Sequence, residues 1–205
     1  MIHTFKQGSD GWRAYKCGKV SASRIIDIMP GTKGNYLASR KNYMAELICE
    51  ILTGQSGANF VSPAMARGTE TEALARSAYE AITGNMVDEI GFIDHDTIID
   101  FGASPDGLVN LDGCIEIKCP NTATHIDTLI NGTIKIDYIY QMQTVMLCGN
   151  RQWCDFISFD NRLNDKLSIW IKRINRNDSV ITSILAEVSL FKKELADMLN
   201  KLKTL

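Results

Sequence analysis

Three ionisable side chains in the segment 104–120, SPDGLVNLDGCIEIKCP, have types and a spacing that point to chemistry. Asp106 lies in a Pro/Gly turn, and Glu116 and Lys118 follow in a short apolar run, separated by one residue. Residues i and i+2 of a strand point to the same face, so Glu116 and Lys118 are expected to project together. The tight NLDG connection predicts a hairpin that brings Asp106 alongside Glu116.

This arrangement favours metal-dependent hydrolysis of a phosphodiester. Two converging carboxylates raise each other's pKa by repulsion, and a divalent cation relieves that repulsion. Mg²⁺ or Mn²⁺ takes a few carboxylates and keeps waters and substrate phosphate oxygens as its other ligands. A lysine beside such a site can orient or activate the attacking water. The Glu-x-Lys pair alone also fits a surface ion pair on a solvated strand, worth at most about 1 kcal/mol.

The elements that must position these side chains follow from the periodicity of the chain. At 205 residues, without an internal repeat or a long linker, the chain is predicted to form one domain. Its part up to about residue 84 is predicted to be helical, with helices over SRIIDIM, YLASRKNYMAELICEILTG and about 63–82. Ser21 or Ser23 is the expected cap of the first helix, and Ser62 that of the third.

Residues from about 85 to 175 form the predicted sheet core. Short runs rich in Ile, Val and Phe predict the strands MVDEIGFID, TIIDFGAS, GLVNL, CIEIKC, WCDFISFD and KLSIWIKRI. Two helices, over ATHIDTLING and DYIYQMQTVMLCG, interrupt these strands, and a helix over about 178–205 closes the chain. Helices flanking a central mixed β-sheet make the expected fold class α/β or α+β.

Composition bears on partners and location. The formal net charge of −2 argues against a protein that coats nucleic acid through bulk charge, but not against a nuclease with clustered carboxylates. No apolar run approaches the ~20 residues of a membrane helix, and the start lacks a secretory signal, so the cytoplasm is the expected location. None of the six cysteines forms a CxxC pair, which argues against a zinc ribbon; an iron–sulfur cluster built from distant cysteines stays open.

Four motifs, in order from about residue 10 to 159, resemble those of the phage lambda-type alkaline exonucleases and the related YqaJ-like viral recombinases, which are PD-(D/E)xK nucleases. They are GWRAYKCGKVSASR, the helical ARGTETEALARSAYE, the signature SPDG…IEIKCP and the glutamine helix YQMQTVM. The Glu-x-Lys pattern alone is weak evidence, whereas four motifs in order are strong evidence.

The resemblance implies a metal site. Asp106 and Glu116 would be the principal ligands, with the Ile117 carbonyl as an additional one. Glu72, in the helical motif, would complete the site for a second ion. Lys118 would position or activate the nucleophilic water.

The resemblance also implies residues that hold the substrate. Gln141 would help to hold the water or the scissile phosphate, with Gln143 as a neighbour. The matching residues for a terminal 5′ phosphate are Lys16, Ser21, Ser23, Ser104 and Arg13. The family often has an arginine where this chain has Lys16, and a lysine binds phosphate as a point charge rather than as a bidentate fork.

Taken whole, the resemblance implies a restriction-endonuclease-like core and a 5′-to-3′ exonuclease that degrades one strand of linear double-stranded DNA to mononucleotides. It would leave a 3′ single strand for recombination by annealing. Two Mg²⁺ or Mn²⁺ ions per site, a homotrimeric ring and a single-strand annealing partner are implied as well, in a phage or prophage protein. Two alternatives remain: a structure-specific or Cas4-like nuclease, and a non-catalytic DNA-binding module. The clustered carboxylates argue against the second, because a binding module has no use for them facing phosphate.

Overall fold

The structure, a computed structural model, describes residues 1–57 and 63–205, with the side chains of that part except those of 63–70. The helices in this part are α1 (Asp10–Lys16), α2 (Ile25–Ile28), α3 (Ala38–Thr53), α4 (Pro63–Thr83), α5 (Thr122–Asn131), α6 (Ile136–Gly149) and α7 (Asp178–Leu202). A short 3₁₀ helix, Ala22–Arg24, precedes α2. The predicted cap Ser62 lies outside the described residues.

The strands of the described part form two mixed sheets. They are β1 (Ile2–His3), β2 (Val20–Ser21), β3 (Val87–Asp88), β4 (Phe92–Asp94), β5 (Phe101–Ala103), β6 (Gly107–Val109), β7 (Gly113–Lys118), β8 (Trp153–Phe159) and β9 (Ile169–Asn175). The smaller sheet has the order β1-β4-β5-β2, and the larger has the order β3-β6-β7-β8-β9. The pairs β2–β5 and β7–β8 are parallel, and the other neighbours are antiparallel.

Strand β7 lies in the middle of the larger sheet and is covered on both faces. Cys114 belongs to the larger hydrophobic core together with Met142 of α6, whereas Ile115 packs in a second cluster with Tyr79 of α4. Successive strand residues point to opposite faces. The Glu-x-Lys side chains therefore lie on the face covered by α6, and α4 packs on the other face.

The predicted fold class is confirmed, with differences in detail. The single expected sheet is divided in two, and β1 and β2 were not predicted because two residues carry no periodicity. The predicted strand over 97–104 is wrong in its first half: only β5 is extended, because the chain turns before it and Asp100 takes a φ of 54°. Within the described part, no helix combines the length and the apolar character needed to cross a membrane.

Candidate active site

The hairpin of β6 and β7 places Asp106 beside the Glu-x-Lys segment, as predicted. Asp106 immediately precedes β6, whose Gly107 lies opposite Ile115 of β7 in an antiparallel register. Asn110, with a φ of 50°, lies in the turn between the two strands. Because β6 begins only after Asp106, the main-chain N–H of Ile117 is free to donate to the carboxylate of Asp106, over an N–Oδ2 distance of 2.6 Å.

Glu116 and Lys118 form a close ion pair on the α6 face of β7. Lys118 Nζ lies 2.5 Å from Glu116 Oε1, and the Glu116 side chain is only 1% exposed. Lys118 Nζ also donates to Gln141 Oε1 over 3.5 Å and lies 4.9 Å from the centroid of the Tyr138 ring. In the described part of the chain, neither carboxylate oxygen of Glu116 has a donor aligned for a regular hydrogen bond, in spite of the nearby ammonium. The pair is therefore buried and lies beside the glutamine helix.

Burial and mutual repulsion perturb the carboxyl groups of this cluster. Burial is the main cause that raises the pKa of Glu116 to about 8 and of Glu72 to about 7, and the charge of Asp106 adds to both. Burial also raises the pKa of Asp106, against the opposing effect of Lys118. For Lys118, burial alone would lower the pKa, but Glu116 and Asp106 outweigh it and the pKa is raised. Without an added cation, the cluster therefore tends to retain protons near neutral pH.

A divalent cation fits the chemistry of these donors. The oxygens of Glu116 are buried without a regular hydrogen bond in the described structure, and burial raises the pKa of this carboxyl group, so a bound cation would favour its charged form. The N–H and C=O of one strand residue point to the same edge, so the Ile117 carbonyl faces the Asp106 side. The described residues contain no group of three or more His, Cys, Asp or Glu side chains placed so that they could hold a metal ion. Mg²⁺ needs only one or two carboxylates, since it keeps several waters.

Glu72 reaches the cluster from α4, together with an arginine that the sequence motifs did not single out. Arg76 Nη2 lies 3.1 Å from Glu72 Oε1 and 3.3 Å from the main-chain oxygen of Asp106. Arg76 Nη1 lies 2.9 Å from Glu89 Oε1. The spacing of four residues between Glu72 and Arg76 was the available signal, because it puts both on one helix face.

The two glutamines of α6 have different surroundings. Gln141 lies within reach of Lys118, as described above. Gln143 is buried elsewhere: its Nε2 donates to the Asn175 main-chain oxygen over 2.9 Å, and its Oε1 accepts from the Asn177 N–H over 2.8 Å. The expectation that Gln143 neighbours the site is therefore wrong, because its amide joins the end of β9 to the start of α7.

Of the five residues predicted for a 5′ phosphate, Lys16 and Ser104 are joined through Trp12. Trp12 Nε1 donates to Ser104 Oγ over 3.1 Å and to the Gly91 main-chain oxygen over 3.0 Å. Lys16 Nζ lies 4.1 Å from the centroid of the Trp12 ring. Burial lowers the pKa of Lys16 to about 8, and the charge of Glu50 partly opposes this. Trp12 thus holds a cation and a hydroxyl together, next to the turn that carries Asp106.

The other three residues lie differently. Ser21 is buried, and its N–H donates to the Tyr43 hydroxyl over 3.1 Å; Ser23 is exposed, and the two serine Oγ atoms are 3.5 Å apart. Arg13 instead makes an ion pair of 3.1 Å with Asp10, whose side chain is fully exposed.

Ser21 occupies the N-cap position of the 3₁₀ helix that precedes α2, but its side chain makes no capping hydrogen bond, and Ser23 lies inside that 3₁₀ helix. The N-cap position of α2 itself is Arg24, so the predicted serine cap of this helix is confirmed only in the position of Ser21 before the 3₁₀ turn.

Among the described residues, the histidines and cysteines form no metal-binding group. His125 is buried between the Ser158 hydroxyl and the Leu167 main-chain oxygen, at 2.7 and 2.8 Å, and His3 contacts Asp94 and Tyr15. All six cysteines lie in the described part of the chain, and none of them forms a disulfide bond.

Comparison with known proteins supports the interpretation of this geometry. The family model of the YqaJ-like viral recombinase domain matches residues 11–152. The solved structure of an alkaline exonuclease, LHK-Exo, from Laribacter hongkongensis is 52% identical, with a TM-score of 0.90 over 96% of this chain and 97% of that chain. LHK-Exo in complex with dAMP matches at 52% identity and a TM-score of 0.89, over the same shares of the two chains.

A phage-related exonuclease from Haemophilus somnus 129PT is 18% identical, with a TM-score of 0.72 over 90% of this chain and 96% of that chain, which shows a shared fold alone. No curated protein sequence matches the chain. The comparisons confirm the predicted family and the alkaline exonuclease fold, and they support the exonuclease role predicted from the motifs. This nuclease belongs to the YqaJ-like viral recombinase family.

Proposed function

We propose that this chain is a metal-dependent 5′-to-3′ exodeoxyribonuclease that degrades one strand of linear double-stranded DNA to mononucleotides and leaves a 3′ single-stranded overhang. The observation that carries the proposal is the convergence of Asp106 with the Glu116–Lys118 pair on β7, joined by the hydrogen bond from the Ile117 N–H. The 52% identity to an alkaline exonuclease over nearly the whole chain supports the same reaction class.

Asp106, Glu116, Glu72 and the Ile117 carbonyl would hold Mg²⁺ or Mn²⁺, with two ions per active site. When bound, the ions would polarise the phosphoryl oxygens and supply a hydroxide-like nucleophile near neutral pH. These groups are hard oxygen donors, and the oxygens of Glu116, which are buried beside the Lys118 ammonium without a regular hydrogen bond, support their use as ligands.

Lys118 acts in this proposal as a donor and not as a base. It lies between two carboxyl groups that favour its ammonium form, so its N–H groups can orient the attacking water and stabilise charge that develops on the phosphate. Gln141, at 3.5 Å from Lys118 Nζ, would hold the same water or the scissile phosphate.

The preference for a 5′ end would come from Lys16, Ser104, Ser21, Ser23 and Arg13. A terminal phosphate carries close to two negative charges and three acceptor oxygens. The Lys16 ammonium and the serine hydroxyls match that chemistry. The packing of Lys16 and Ser104 against Trp12 supports a common pocket close to Asp106.

We further propose that residues 1–205 form one nuclease domain and that three copies form a ring around DNA, working with a single-strand annealing protein. The family description, a viral recombinase domain, supports a phage or prophage protein that prepares DNA for recombination in the bacterial cytoplasm.

The test is digestion of three DNA substrates in Mg²⁺: a linear duplex with 5′ phosphates, the same duplex with 5′ hydroxyls, and a closed circle. We expect mononucleotides from the linear duplexes, faster initiation on the phosphorylated ends, and no product from the circle. Cutting of the circle would favour the structure-specific or Cas4-like alternative. Binding of linear duplex without cleavage in Mg²⁺ or Mn²⁺ would favour the non-catalytic module.

A further inference from the structure

Arg76 joins three segments of the chain around the carboxylates. It lies one helical turn after Glu72 on α4, and its side chain is 13% exposed. Its Nη2 contacts both Glu72 Oε1, at 3.1 Å, and the main-chain oxygen of Asp106, at 3.3 Å. Its Nη1 contacts Glu89, which lies between β3 and β4, at 2.9 Å. One guanidinium thus connects a helix, the turn before β6 and the loop before β4.

The geometry of these contacts needs an arginine. A guanidinium directs its N–H groups in a fixed planar fork, whereas a lysine ammonium is a single flexible point of charge. Arg76 Nε is buried and has no hydrogen-bond partner in the described structure. An unsatisfied buried donor costs about 1–3 kcal/mol, which offsets part of the stability that the other contacts of Arg76 contribute.

We propose that Arg76 is a positioning residue, which fixes the Glu72 carboxylate relative to the Asp106 turn and so sets the separation of the two carboxylates. This inference rests on the proposed function, in which both side chains hold a divalent ion. Arg76 acts through Glu72 and Asp106, and the proposal gives it no contact with the substrate. Partners that orient metal ligands typically change metal affinity or activity by about 10–100-fold when they are removed.

The test is calorimetric titration of the DNA-free protein with Ca²⁺, together with kcat and KM for linear duplex in Mg²⁺. For Arg76→Gln we expect Ca²⁺ affinity and kcat to fall by about 10-fold or more, with KM for DNA unchanged. Arg76→Lys keeps the charge without the fork and should give an intermediate loss. If Arg76→Gln does not fold, the Ca²⁺ affinity and kcat of Arg76→Lys are compared with those of the wild type instead.

A matched control is Arg176→Gln. Arg176 also joins a carboxylate, Asp178 Oδ1 at 2.8 Å, to a main-chain oxygen, that of Met146 at 2.9 Å, and its side chain is 19% exposed. It lies between α6 and α7, so its loss should lower the free energy of unfolding and leave Ca²⁺ affinity unchanged.

The outcomes separate this inference from the proposed function. One outcome would overturn the role of Arg76 alone. In it, the wild type binds Ca²⁺, Asp106→Asn does not, and the Ca²⁺ affinity of Arg76→Gln is unchanged or increased. An equal loss in Arg176→Gln would also overturn it. Ca²⁺ binding that is absent from the wild type, or that survives Asp106→Asn, would overturn the metal site and with it the proposal for Arg76.

Discussion

The carboxylate of Asp106 accepts a 2.6 Å hydrogen bond from the main-chain N–H of Ile117, the residue between Glu116 and Lys118. This bond fixes the turn before β6 against the end of β7. Within the described residues, the second oxygen of Asp106 accepts no hydrogen bond. The two acids therefore share one site, although they are separated in the chain by a hairpin.

Loss of Lys118 should affect cleavage but not metal binding, unlike loss of a metal ligand. In Lys118→Ala, we expect Ca²⁺ affinity to stay close to that of the wild type at pH 9, where competition by protons for the carboxylates is small. The rate of cleavage in a single turnover should fall by about 10²–10³-fold, the usual loss when one charge-stabilising group is removed. Calorimetry and single-turnover kinetics measure the two effects. Lost metal binding would mean that Lys118 mainly holds the carboxylates in place, and unchanged cleavage would mean that Lys118 only neutralises the buried Glu116 and has no role in the reaction.

The stability of the metal-free protein should depend on pH through Glu116. Its pKa is raised from 4.5 to about 8, so the folded state keeps a proton that the unfolded state has released between these values. Stability from this group is present below the unfolded pKa and is lost as the pH rises towards 8. Glu116→Gln has no such proton to release. The free energy of unfolding of this variant, measured relative to the wild type, should therefore increase by more than about 1 kcal/mol between pH 5 and pH 8.

Urea unfolding in a chelator at the two pH values measures this difference. Asp165→Asn, in an exposed loop, is the control and should follow the wild type. If the difference in free energy of unfolding between Glu116→Gln and the wild type is the same at pH 5 and pH 8, the pKa of Glu116 is not raised in the folded protein.

Gln141 and Gln143 provide a paired comparison on one helix. Gln143→Ala removes two hydrogen bonds to main-chain groups of the β9–α7 connection, so we expect a loss of about 1–3 kcal/mol in the free energy of unfolding and a normal kcat. Gln141→Ala should show the reverse, with near-normal stability and cleavage reduced by about 10-fold or more. Chemical denaturation and steady-state kinetics of both variants are sufficient. A loss of catalysis in Gln143→Ala at full folding would contradict the assignment.

The preference for a 5′ phosphate should weaken at alkaline pH. The Lys16 ammonium, with a pKa lowered to about 8, is protonated below that pH and loses its charge above it. The ratio of kcat/KM for phosphorylated over hydroxyl ends should therefore decrease between pH 7 and pH 9. Lys16→Arg, which stays charged, should keep the ratio constant. Lys16→Met should give a low ratio at every pH, and an undiminished preference in that variant would exclude Lys16 from the pocket.

The sequence was sufficient for those parts of the site that depend on local geometry. The spacing of Glu116 and Lys118 on a strand, and the hairpin that returns Asp106 to them, follow from alternation and turn chemistry. Arg76 was missed because its role depends on how α4 packs against the Asp106 turn, which no local pattern records. Gln143 was misplaced for a related reason: it is two positions from Gln141, and on a helix that spacing points the two side chains in different directions.

The central claim is that the Asp106–Glu116–Lys118 cluster removes nucleotides from the 5′ end of duplex DNA. The most direct measurement is a time course of digestion in Mg²⁺. The substrate is a linear duplex in which one strand carries different labels at its 5′ and 3′ ends. We expect the 5′ label to appear first as a mononucleotide with wild-type protein, and no release with a folded Asp106→Asn variant. Earlier release of the 3′ label, or release of the 5′ label by Asp106→Asn at the wild-type rate, would contradict the account.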